Sequence, residues 1–317
     1  MSQPIKPPVT YFGGKTRIAD RIVALFPPHG HYVELFGGSL AVLLAKRPSD
    51  METVNDLDGA LMTFWRVLRD RSADLERVCA LTPHSRAEHE RVRRPDCVLC
   101  GQPISSRRGV WVNDDSGKRC PTSHGSQDRP HLPETFDDLE TARRIWVKLS
   151  QGRGGHTSRP TGWRHYQDAR GSHASMPDYL AAYVGRIMPC AARLARVSLE
   201  SRPALELVEL YGKHRATLLY ADPPYPGLAR WDSDRRYEFE MLDEQGHREL
   251  AVALNAARAS VLVSGYDSPL YDELYAGWNR REIPASAGVG NGEERARTEV
   301  VWSNREFPVE QDGLFDV

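Results

Sequence analysis

The sequence predicts an α/β fold: a parallel sheet with a second region inserted into it. Short apolar runs alternate with amphipathic segments in residues 1–75 and again in residues 191–317, which is the pattern of strands joined by helices. Residues 76–190 lack this alternation and are rich in Arg, His, Gly and Ser. We therefore expect one α/β domain formed by the two outer sections, with 76–190 as a mostly helical and loop insertion.

The individual elements are predicted from the period of the apolar residues and from the Gly, Pro and Asn residues that end each run. The predicted strands are His31–Phe36, a short strand from Thr53 to Asn55-Asp56, Ala216–Ala221, Val261–Ser264 and Glu299–Ser303. The predicted helices are Ser39–Ala45, Leu57–Leu68, Asp137–Leu149 and Glu244–Ala257. Residues 94–133 show little periodicity, and 151–175 predict a loop.

Composition excludes several classes of protein. Hydrophobic residues make up 40% of the chain and charged residues 27%, so a sizeable core can form and wholesale disorder is not expected. The net charge of −1 excludes a uniformly basic nucleic-acid coat. No apolar run approaches the ~18 residues of a membrane span, and Met1–Val9 is polar without a signal region. We expect a cytoplasmic protein with no membrane contact.

The strongest chemical signal is Asp222-Pro223-Pro224-Tyr225, directly after an apolar strand, where catalytic groups lie in open α/β sheets. An aromatic amino group is a poor nucleophile because its lone pair is delocalised into the ring. The Asp222 carboxylate and the Pro223 carbonyl could accept its two hydrogens, in a turn stiffened by prolines, while Tyr225 stacks on the base. The tetrapeptide indicates methyl transfer to a nucleobase amino group; the alternative is a Pro-rich turn capped by Asp.

A second signal is Glu34–Ser39, where a predicted strand ends in Gly37-Gly38 and a helix begins. Glycines allow a tight turn and a close approach of the backbone to a ligand. Asp56 ends the next strand, 18 residues after Gly38, a spacing suited to ribose hydroxyls. Together with the tetrapeptide, this turn predicts a cofactor site. A third motif, Tyr11-Phe12-Gly13-Gly14-Lys15, is by itself only an aromatic turn with a cation.

In this order the motifs resemble those of the Dam-like (class alpha) adenine-N6 DNA methyltransferases. That family opens with an aromatic-x-Gly-Gly-Lys motif, matched by Tyr11–Lys15, and continues with a glycine turn, an acidic strand end and Asp-Pro-Pro-Tyr. Val263–Tyr266 and Glu299–Asn304 also look like family segments. The resemblance covers roughly residues 1–75 and 195–305.

The resemblance implies a Rossmann-like domain that uses S-adenosylmethionine (SAM) to methylate a flipped adenine in double-stranded DNA. There are two departures: Ser39 or Leu40 stands where the family often has a further Gly, and the family's acid near the adenine of SAM is not assigned in the stretch Glu200-Ser201-Arg202-Pro203. The implied catalytic residues are Asp222, Pro223, Pro224 and Tyr225. The implied cofactor-binding residues are Tyr11, Gly13, Lys15, Phe36, Gly37, Gly38, Asp56 and Asp222.

Residues 143–170 form a basic stretch with seven basic residues and one acid, interleaved with Trp146, Trp163 and Tyr166. Basic groups suit phosphates, and a Gly-rich backbone can approach a duplex closely; the alternative is a solvated basic loop. The motif order of the family also places target recognition here. The residues expected to bind DNA are Arg143, Lys148, Arg153, Arg159 and Arg164.

The spacing C-x2-C-x19-C-x3-H within residues 95–133 fits a structural zinc site, which would brace a loop because four ligands close the shell. The expected ligands are Cys97, Cys100, Cys120 and His124. His131 is a rival fourth ligand, and unrelated thiols beside a surface histidine are the alternative. Cys79 and Cys190 have no partner spacing and are expected in the core.

The leading expectation is therefore a SAM-dependent, adenine-specific DNA methyltransferase. Two alternatives stay open: methylation of RNA, and a non-catalytic, zinc-stabilised DNA-binding protein on a methyltransferase scaffold. The Gly-Gly-Lys motif argues against RNA, and the intact tetrapeptide argues against loss of activity. Because no long apolar interface helix is apparent, we expect a monomer.

Overall fold

The computed structural model describes residues 5–94, 96–98, 100, 102, 104–107, 110–113, 135–157, 161–166, 175–224, 244–286 and 296–308. Its contacts divide the chain into two compact units. The sheet unit comprises Met1–Pro7, Gly13–Met62 and Arg193–Val317, and the insert unit comprises Pro8–Phe12 and Thr63–Ala192. The division predicted from the sequence lay at residues 75 and 191 and assigned the whole N-terminus to the first domain.

The secondary structure alternates between strands and helices in the sheet unit and is mainly helical in the insert unit. In chain order the described elements are α1 (Ala19–Val23), β1 (His31–Glu34), α2 (Ala41–Ala45), β2 (Met51–Asn55), α3 (Gly59–Asp70), α4 (Ser72–Leu81), α5 (Arg86–Arg93), β3 (Ile104–Arg107), β4 (Val110–Asn113), α6 (Asp138–Gln151), α7 (Met176–Val184), α8 (Ile187–Leu194), β5 (Val197–Glu200), α9 (Ala204–Tyr211), β6 (Thr217–Ala221), α10 (Glu244–Ala256), β7 (Ser260–Tyr266), α11 (Pro269–Leu274), β8 (Asn279–Ser286) and β9 (Ala296–Ser303).

The sheet unit is built on a seven-stranded sheet whose order, among the described strands, is β5-β2-β1-β6-β7-β9-β8. The first five strands run parallel, and β9 runs antiparallel to both of its neighbours. The order reverses between β1 and β6, because the chain first moves outward from β1 and later returns to its other side. In open α/β sheets, ligands bind at such a switch point, outside the carboxyl ends of the strands.

The central strands are buried, as a parallel sheet covered by helices requires. All five residues of β6 are buried, and four of the five in β2. Leu219 of β6, Val263 of β7 and Trp302 of β9 share one apolar cluster with Leu250 and Leu254 of α10. This packing fixes the strand ends from which the polar side chains project.

The insert unit is organised around α6, which packs against α4 and α5. The Asp137 side chain accepts a hydrogen bond from the Glu140 N–H and so caps the start of α6. Trp146 and Leu149 are on the buried face of this helix. A separate antiparallel hairpin, β3–β4, follows Cys97 and Cys100.

The structure confirms the predicted α/β class with a seven-stranded mixed sheet, and it moves some element boundaries. The helix predicted to begin at Ser39 begins at Ala41, because Leu40 adopts a left-handed conformation with φ 53°. Strands β5 and β8 were not predicted, and neither was the β3–β4 hairpin. In the part of the chain that the structure describes, no helix combines the length and apolar character needed to cross a membrane.

Candidate active site

Five polar side chains form a chain of contacts where β6, β7 and β9 lie side by side in the sheet unit. We call Lys15, Tyr220, Asp222, Ser264 and Glu299 the Asp222 cluster. Asp222 Oδ1 lies 2.8 Å from Lys15 Nζ and accepts a 3.0 Å hydrogen bond from Ser264 Oγ. Ser264 Oγ lies 2.9 Å from the Tyr220 hydroxyl, and Lys15 Nζ lies 3.4 Å from Glu299 Oε1. Two side-chain donors therefore hold one oxygen of the predicted catalytic carboxylate.

The register of the sheet brings these residues together. Ala221 pairs with Val263 across parallel β6 and β7, so the next residues, Asp222 and Ser264, are neighbours. Glu299 comes from antiparallel β9, where it pairs with the residue two positions beyond Ser264 in β7. The cluster is thus assembled from strands that are distant in sequence.

Lys15 is buried between two carboxylates, with only 6% of its surface exposed. Burial disfavours the charged ammonium, but the charges of Asp222 and Glu299 outweigh burial and hold the pKa of Lys15 above its ordinary value. The ammonium also donates to the Gly13 carbonyl oxygen at 3.1 Å. Gly13 has φ +74°, a conformation that glycine adopts readily. The Gly-Gly-Lys segment therefore delivers a charged lysine to Asp222.

The predicted catalytic tetrapeptide is described over three of its four residues. Asp222 is half-buried, Pro223 is buried and Pro224 is half-buried. Because a proline ring fixes its own backbone angle φ, the two prolines stiffen the segment after the carboxylate. Tyr225 lies outside the described residues.

Asp56 is buried at the end of β2 and accepts hydrogen bonds from two backbone N–H groups. Gly38 N–H donates to Oδ2 at 2.8 Å, and Asp58 N–H donates to Oδ1 at 2.9 Å. Burial raises the pKa of Asp56 to about 6, although the two backbone donors act in the opposite direction. Asp56 therefore shapes the glycine turn, and its predicted contact with a ribose stays a prediction.

The glycine turn after β1 allows little substitution. Gly37 N–H donates to the Asn55 carbonyl oxygen at 2.7 Å. A Cβ at Gly37 would lie 2.8 Å from Leu40 Cδ2 and 3.1 Å from that same oxygen. Gly38 has φ +49°. Phe36, which begins the turn, is half-buried and packs against the sheet core.

Glu34 is a buried acid at the end of β1. It belongs to the glycine motif of the sequence, but no role was predicted for it. Its Oε2 accepts hydrogen bonds from the Tyr32 hydroxyl at 2.8 Å and from the Leu43 N–H at 3.2 Å. Because the N-cap residue of α2 supplies no side-chain acceptor, Glu34 satisfies a first-turn N–H of that helix instead. Burial, reinforced by the charge of Asp222, raises the pKa of Glu34 to about 8.

The first two residues of the N-terminal motif belong to the insert unit, whereas Gly13 and Lys15 belong to the sheet unit. Phe12 N–H donates to the Gly155 carbonyl oxygen at 2.9 Å, and its ring stacks on His156 with centroids 4.3 Å apart. Gly155 has φ +67°, and a Cβ there would lie 2.9 Å from Tyr11 Cα. A cofactor contact by Tyr11 stays a prediction.

Arg143, the first residue predicted to bind DNA, is engaged by two acids of the insert unit. Its Nε lies 2.6 Å from Glu140 Oε2 and its Nη1 lies 2.7 Å from Glu88 Oε1. The hydrogen bonds to Glu140 and Glu88 hold the pKa of Arg143 above its ordinary value. The guanidinium thus has a structural role, whatever it does towards DNA.

The other predicted DNA-binding residues differ in exposure. Arg153 is exposed and Lys148 is half-buried. The Arg164 side chain donates to the Tyr179 hydroxyl and its guanidinium lies over that ring. Arg159 lies outside the described residues. Contact between these residues and DNA stays a prediction.

Trp163 lies in a stack of rings that sequence reasoning did not find. Its ring is 4.4 Å from that of His84 and 5.3 Å from that of His165, with both histidine rings nearly parallel to it. The Arg86 guanidinium lies 4.8 Å from the Trp163 ring centroid. The sequence signal that could have indicated this stack is the close spacing of ring-bearing and arginine side chains in residues 84–86 and 163–165.

The predicted zinc ligands are only half described. Cys97 is buried and packs with Cys100 and Ile104 in one small apolar cluster, whereas Cys120 and His124 lie outside the described residues. Within the described ranges, no group of three metal-binding side chains occurs, and this leaves the four-ligand site untested.

The two remaining cysteines match their expected placement in the core. Cys79 and Cys190 are both buried. Burial raises the pKa of the Cys190 thiol to about 12, so that thiol is protonated at neutral pH.

Comparison with known proteins identifies a family similar to the N-terminal part of the chain. Residues 11–92, about a quarter of the chain, match the family model of the D12 class N6 adenine-specific DNA methyltransferases. The match includes Gly13, Lys15, the glycine turn and Asp56. It confirms the resemblance drawn from the motifs, and with it the expectation of an enzyme that methylates DNA at adenine. No curated protein matches the chain.

Proposed function

From the match to the adenine-specific DNA methyltransferases, we propose that this chain transfers a methyl group from SAM to N6 of an adenine in double-stranded DNA. The observation that carries the proposal is the position of Asp222. Its half-buried carboxylate comes directly after β6, the strand beside β1, and two side-chain donors hold one of its oxygens. The target base would leave the duplex stack, because a donor at this strand edge cannot reach a stacked base.

The residues at the glycine turn fit the chemistry of SAM. Glycines at positions 37 and 38 keep side chains away from the bend, and Asp56 stands at the neighbouring strand end with a raised pKa. Phe36, Gly38 and Asp56 would hold the nucleoside part of the donor. When bound, SAM supplies an electrophilic methyl group on a sulfonium sulfur.

Asp222 orients the acceptor. Its carboxylate and the Pro223 carbonyl accept the two hydrogens of the adenine amino group and draw the nitrogen towards a tetrahedral geometry. Lys15 and Ser264 fix the carboxylate in place before the base arrives, so little reorganisation is needed. Most of the acceleration comes from positioning and electrostatics, and no covalent bond to the protein is formed.

The test is expression in a host that lacks adenine methylation, followed by sequencing of host DNA with detection of modified bases. Methyladenine at one recurring motif, absent with Asp222→Ala, would establish the reaction, the substrate and the catalytic residue. Unmodified DNA from soluble protein that still binds SAM would refute the proposal. It would favour methylation of RNA or a non-catalytic DNA-binding role.

We propose that the insert unit recognises the DNA target, with exposed Arg153 as a phosphate contact. Arg153→Ala should weaken binding to any duplex about threefold to tenfold and reduce the salt dependence by about one counterion. Arg143→Ala is the matched control: it removes two ion pairs and should lower the melting temperature more than DNA affinity. The reverse pattern would make Arg143 the DNA contact.

We also keep the proposal of a structural zinc bound by Cys97, Cys100, Cys120 and His124. The described half supports it: the Cys97 N–H donates to the Gln102 carbonyl oxygen at 2.9 Å, which closes a turn around the first two thiols. Metal analysis should find about one zinc per chain. Cys97→Ser should lose it and Cys190→Ala should retain it. A metal-free wild-type protein would contradict the proposal.

A further inference from the structure

Glu299 is a buried carboxylate at the start of a short apolar run in β9. It lies in β9 directly before the buried residues Val300, Val301 and Trp302, and only 4% of its own surface is exposed. Burial of a carboxylate is costly unless it is paired. Its Oε1 lies 3.4 Å from Lys15 Nζ, so the lysine ammonium lies between Glu299 and Asp222.

We propose that Glu299 is a positioning residue for methyl transfer that acts through Lys15. The inference rests on the proposed function and adds a residue to it. Lys15 holds Asp222 in place, but its positive charge also offsets the negative charge that Asp222 presents to the amino group. Glu299 offsets the lysine in turn, so that Lys15, Asp222 and Glu299 together carry a net charge of −1.

That charge matters because of where positive charge develops. As the N–CH₃ bond forms and the S–CH₃ bond breaks, the sulfonium becomes a neutral thioether and the amino nitrogen becomes cationic. The nitrogen is neutral again once its extra proton passes to solvent water. A net negative cluster stabilises that developing cation, whereas a neutral Lys15–Asp222 pair does so far less, and burial strengthens the difference.

The neighbouring acid does not supply this charge at neutral pH. Glu34 interacts with Asp222 electrostatically, but its pKa of about 8 leaves most of that carboxyl protonated at pH 7. Of these two buried acids in the described part of the chain, Glu299 is therefore the one that offsets the charge of Lys15.

The experiment compares Glu299→Gln, which keeps the shape and removes the charge, with Glu299→Asp, which keeps the charge on a shorter side chain. We expect kcat of Glu299→Gln to fall roughly tenfold to hundredfold, with KM for SAM and for duplex DNA changed less than about threefold. Glu299→Asp should recover part of the loss. The matched control is Glu306→Gln at an exposed position, which should have wild-type kinetics.

Two outcomes would overturn the inference: unchanged kcat in Glu299→Gln, or a loss that appears only in KM for SAM. Equal kcat for Gln and Asp variants would also overturn it, because charge would then be irrelevant. An inactive wild-type protein would instead refute the proposed function, so the two failures are distinguishable.

A second comparison applies if Glu299→Gln alone does not fold. The double variant Lys15→Gln/Glu299→Gln removes both charges and leaves no unpaired buried ammonium. If Glu299 acts by offsetting the charge of Lys15, it has no charge left to offset once the lysine is removed. The double variant should then have a kcat close to that of Lys15→Gln alone. A further loss of about tenfold or more in the double variant would show that the charge of Glu299 acts directly and not through the lysine.

Discussion

Asp222 and Asp56 both follow parallel strands at the carboxyl edge of the same sheet, yet they are held in opposite ways. Asp222 is half-buried, and the side chains of Lys15 and Ser264 both contact its Oδ1. Asp56 is fully buried, and its two carboxylate oxygens accept hydrogen bonds from the backbone N–H groups of Gly38 and Asp58.

The difference indicates what each carboxylate can do. Side-chain partners can be exchanged without moving the backbone, so the charge around Asp222 is set by individual residues. Backbone partners make Asp56 part of the turn itself, because the carboxylate determines where Gly38 lies. We infer that Asp222 is arranged for chemistry and that Asp56 is arranged to shape a binding surface.

The largest effect should come from Asp222→Asn. Asparagine keeps an amide oxygen that can accept a hydrogen bond but loses the negative charge that polarises the amino group, so we expect kcat to fall about a thousandfold or more. SAM affinity, measured by calorimetry, should fall far less than kcat, although the resemblance also places Asp222 among the cofactor-binding residues. The exposed surface variant Asp272→Asn should keep wild-type activity. A large loss of SAM affinity in Asp222→Asn would show that Asp222, like Asp56, serves cofactor binding, and would contradict the difference in role inferred here.

Asp56→Ala should show the opposite pattern. It leaves two buried backbone N–H groups without their acceptor, at a cost of about 1–3 kcal/mol each, and SAM affinity should fall roughly tenfold to hundredfold. The matched control is Asp58→Ala, which also removes hydrogen bonds to two backbone N–H groups, those of Ala60 and Leu61 at the start of α3. Asp58→Ala should lower stability but keep SAM affinity; equal affinity losses would contradict a specific role for Asp56.

Ser264→Ala tests the side-chain support of Asp222 more gently. It removes one of the two side-chain donors to Oδ1 described above and leaves the lysine. The rate constant for methyl transfer, measured in a single turnover, should therefore fall about tenfold. Ser303→Ala removes another buried serine hydroxyl, one that accepts a hydrogen bond from the Arg305 N–H. This variant should leave the same rate constant unchanged. Equal effects of the two variants would show that the loss is structural.

The smallest effect concerns Glu34, which accepts hydrogen bonds from both a side chain and the backbone. Its pKa is raised in the folded state to about 8. The stability that it contributes is therefore present below the ordinary carboxyl pKa and is lost as pH rises through about 8. The melting temperature of Glu34→Gln, relative to that of the wild type, should rise by about 2 °C or more between pH 6 and pH 9. Scanning calorimetry measures this difference. A constant difference would mean that Glu34 does not titrate in this range.

The sequence was sufficient to predict the five inner strands of the sheet but not its edges. Inner strands such as β6 read as continuous apolar runs because they are buried on both faces. The edge strands β5 and β8 were missed, since V-S-L-E is short and Asn279–Ser286 mixes charged residues with Pro284. Polar residues and proline are what an exposed sheet edge requires.

The same limit applies to the site. Asp222, Lys15 and the glycine turn could be found because their neighbours in sequence are unusual. Ser264 and Glu299 were included only within two family-like segments, Val263–Tyr266 and Glu299–Asn304, and no role was predicted for either residue. Their role arises from the pairing of β6, β7 and β9, which the local sequence does not encode.

The discontinuity of the sheet unit has a consequence for synthesis of the chain. β1 ends at Glu34, and its sheet partner β6 begins at Thr217, after the whole of the insert unit, which ends at Ala192. Because domains fold as they emerge from the ribosome, we expect the helical insert to fold while β1 still lacks its neighbour β6 and β2 still lacks its neighbour β5. Asp222 and Glu299 meet Lys15 only when the last strands emerge. A nascent chain that stalls before β6 would therefore carry a folded insert and no capacity for methyl transfer.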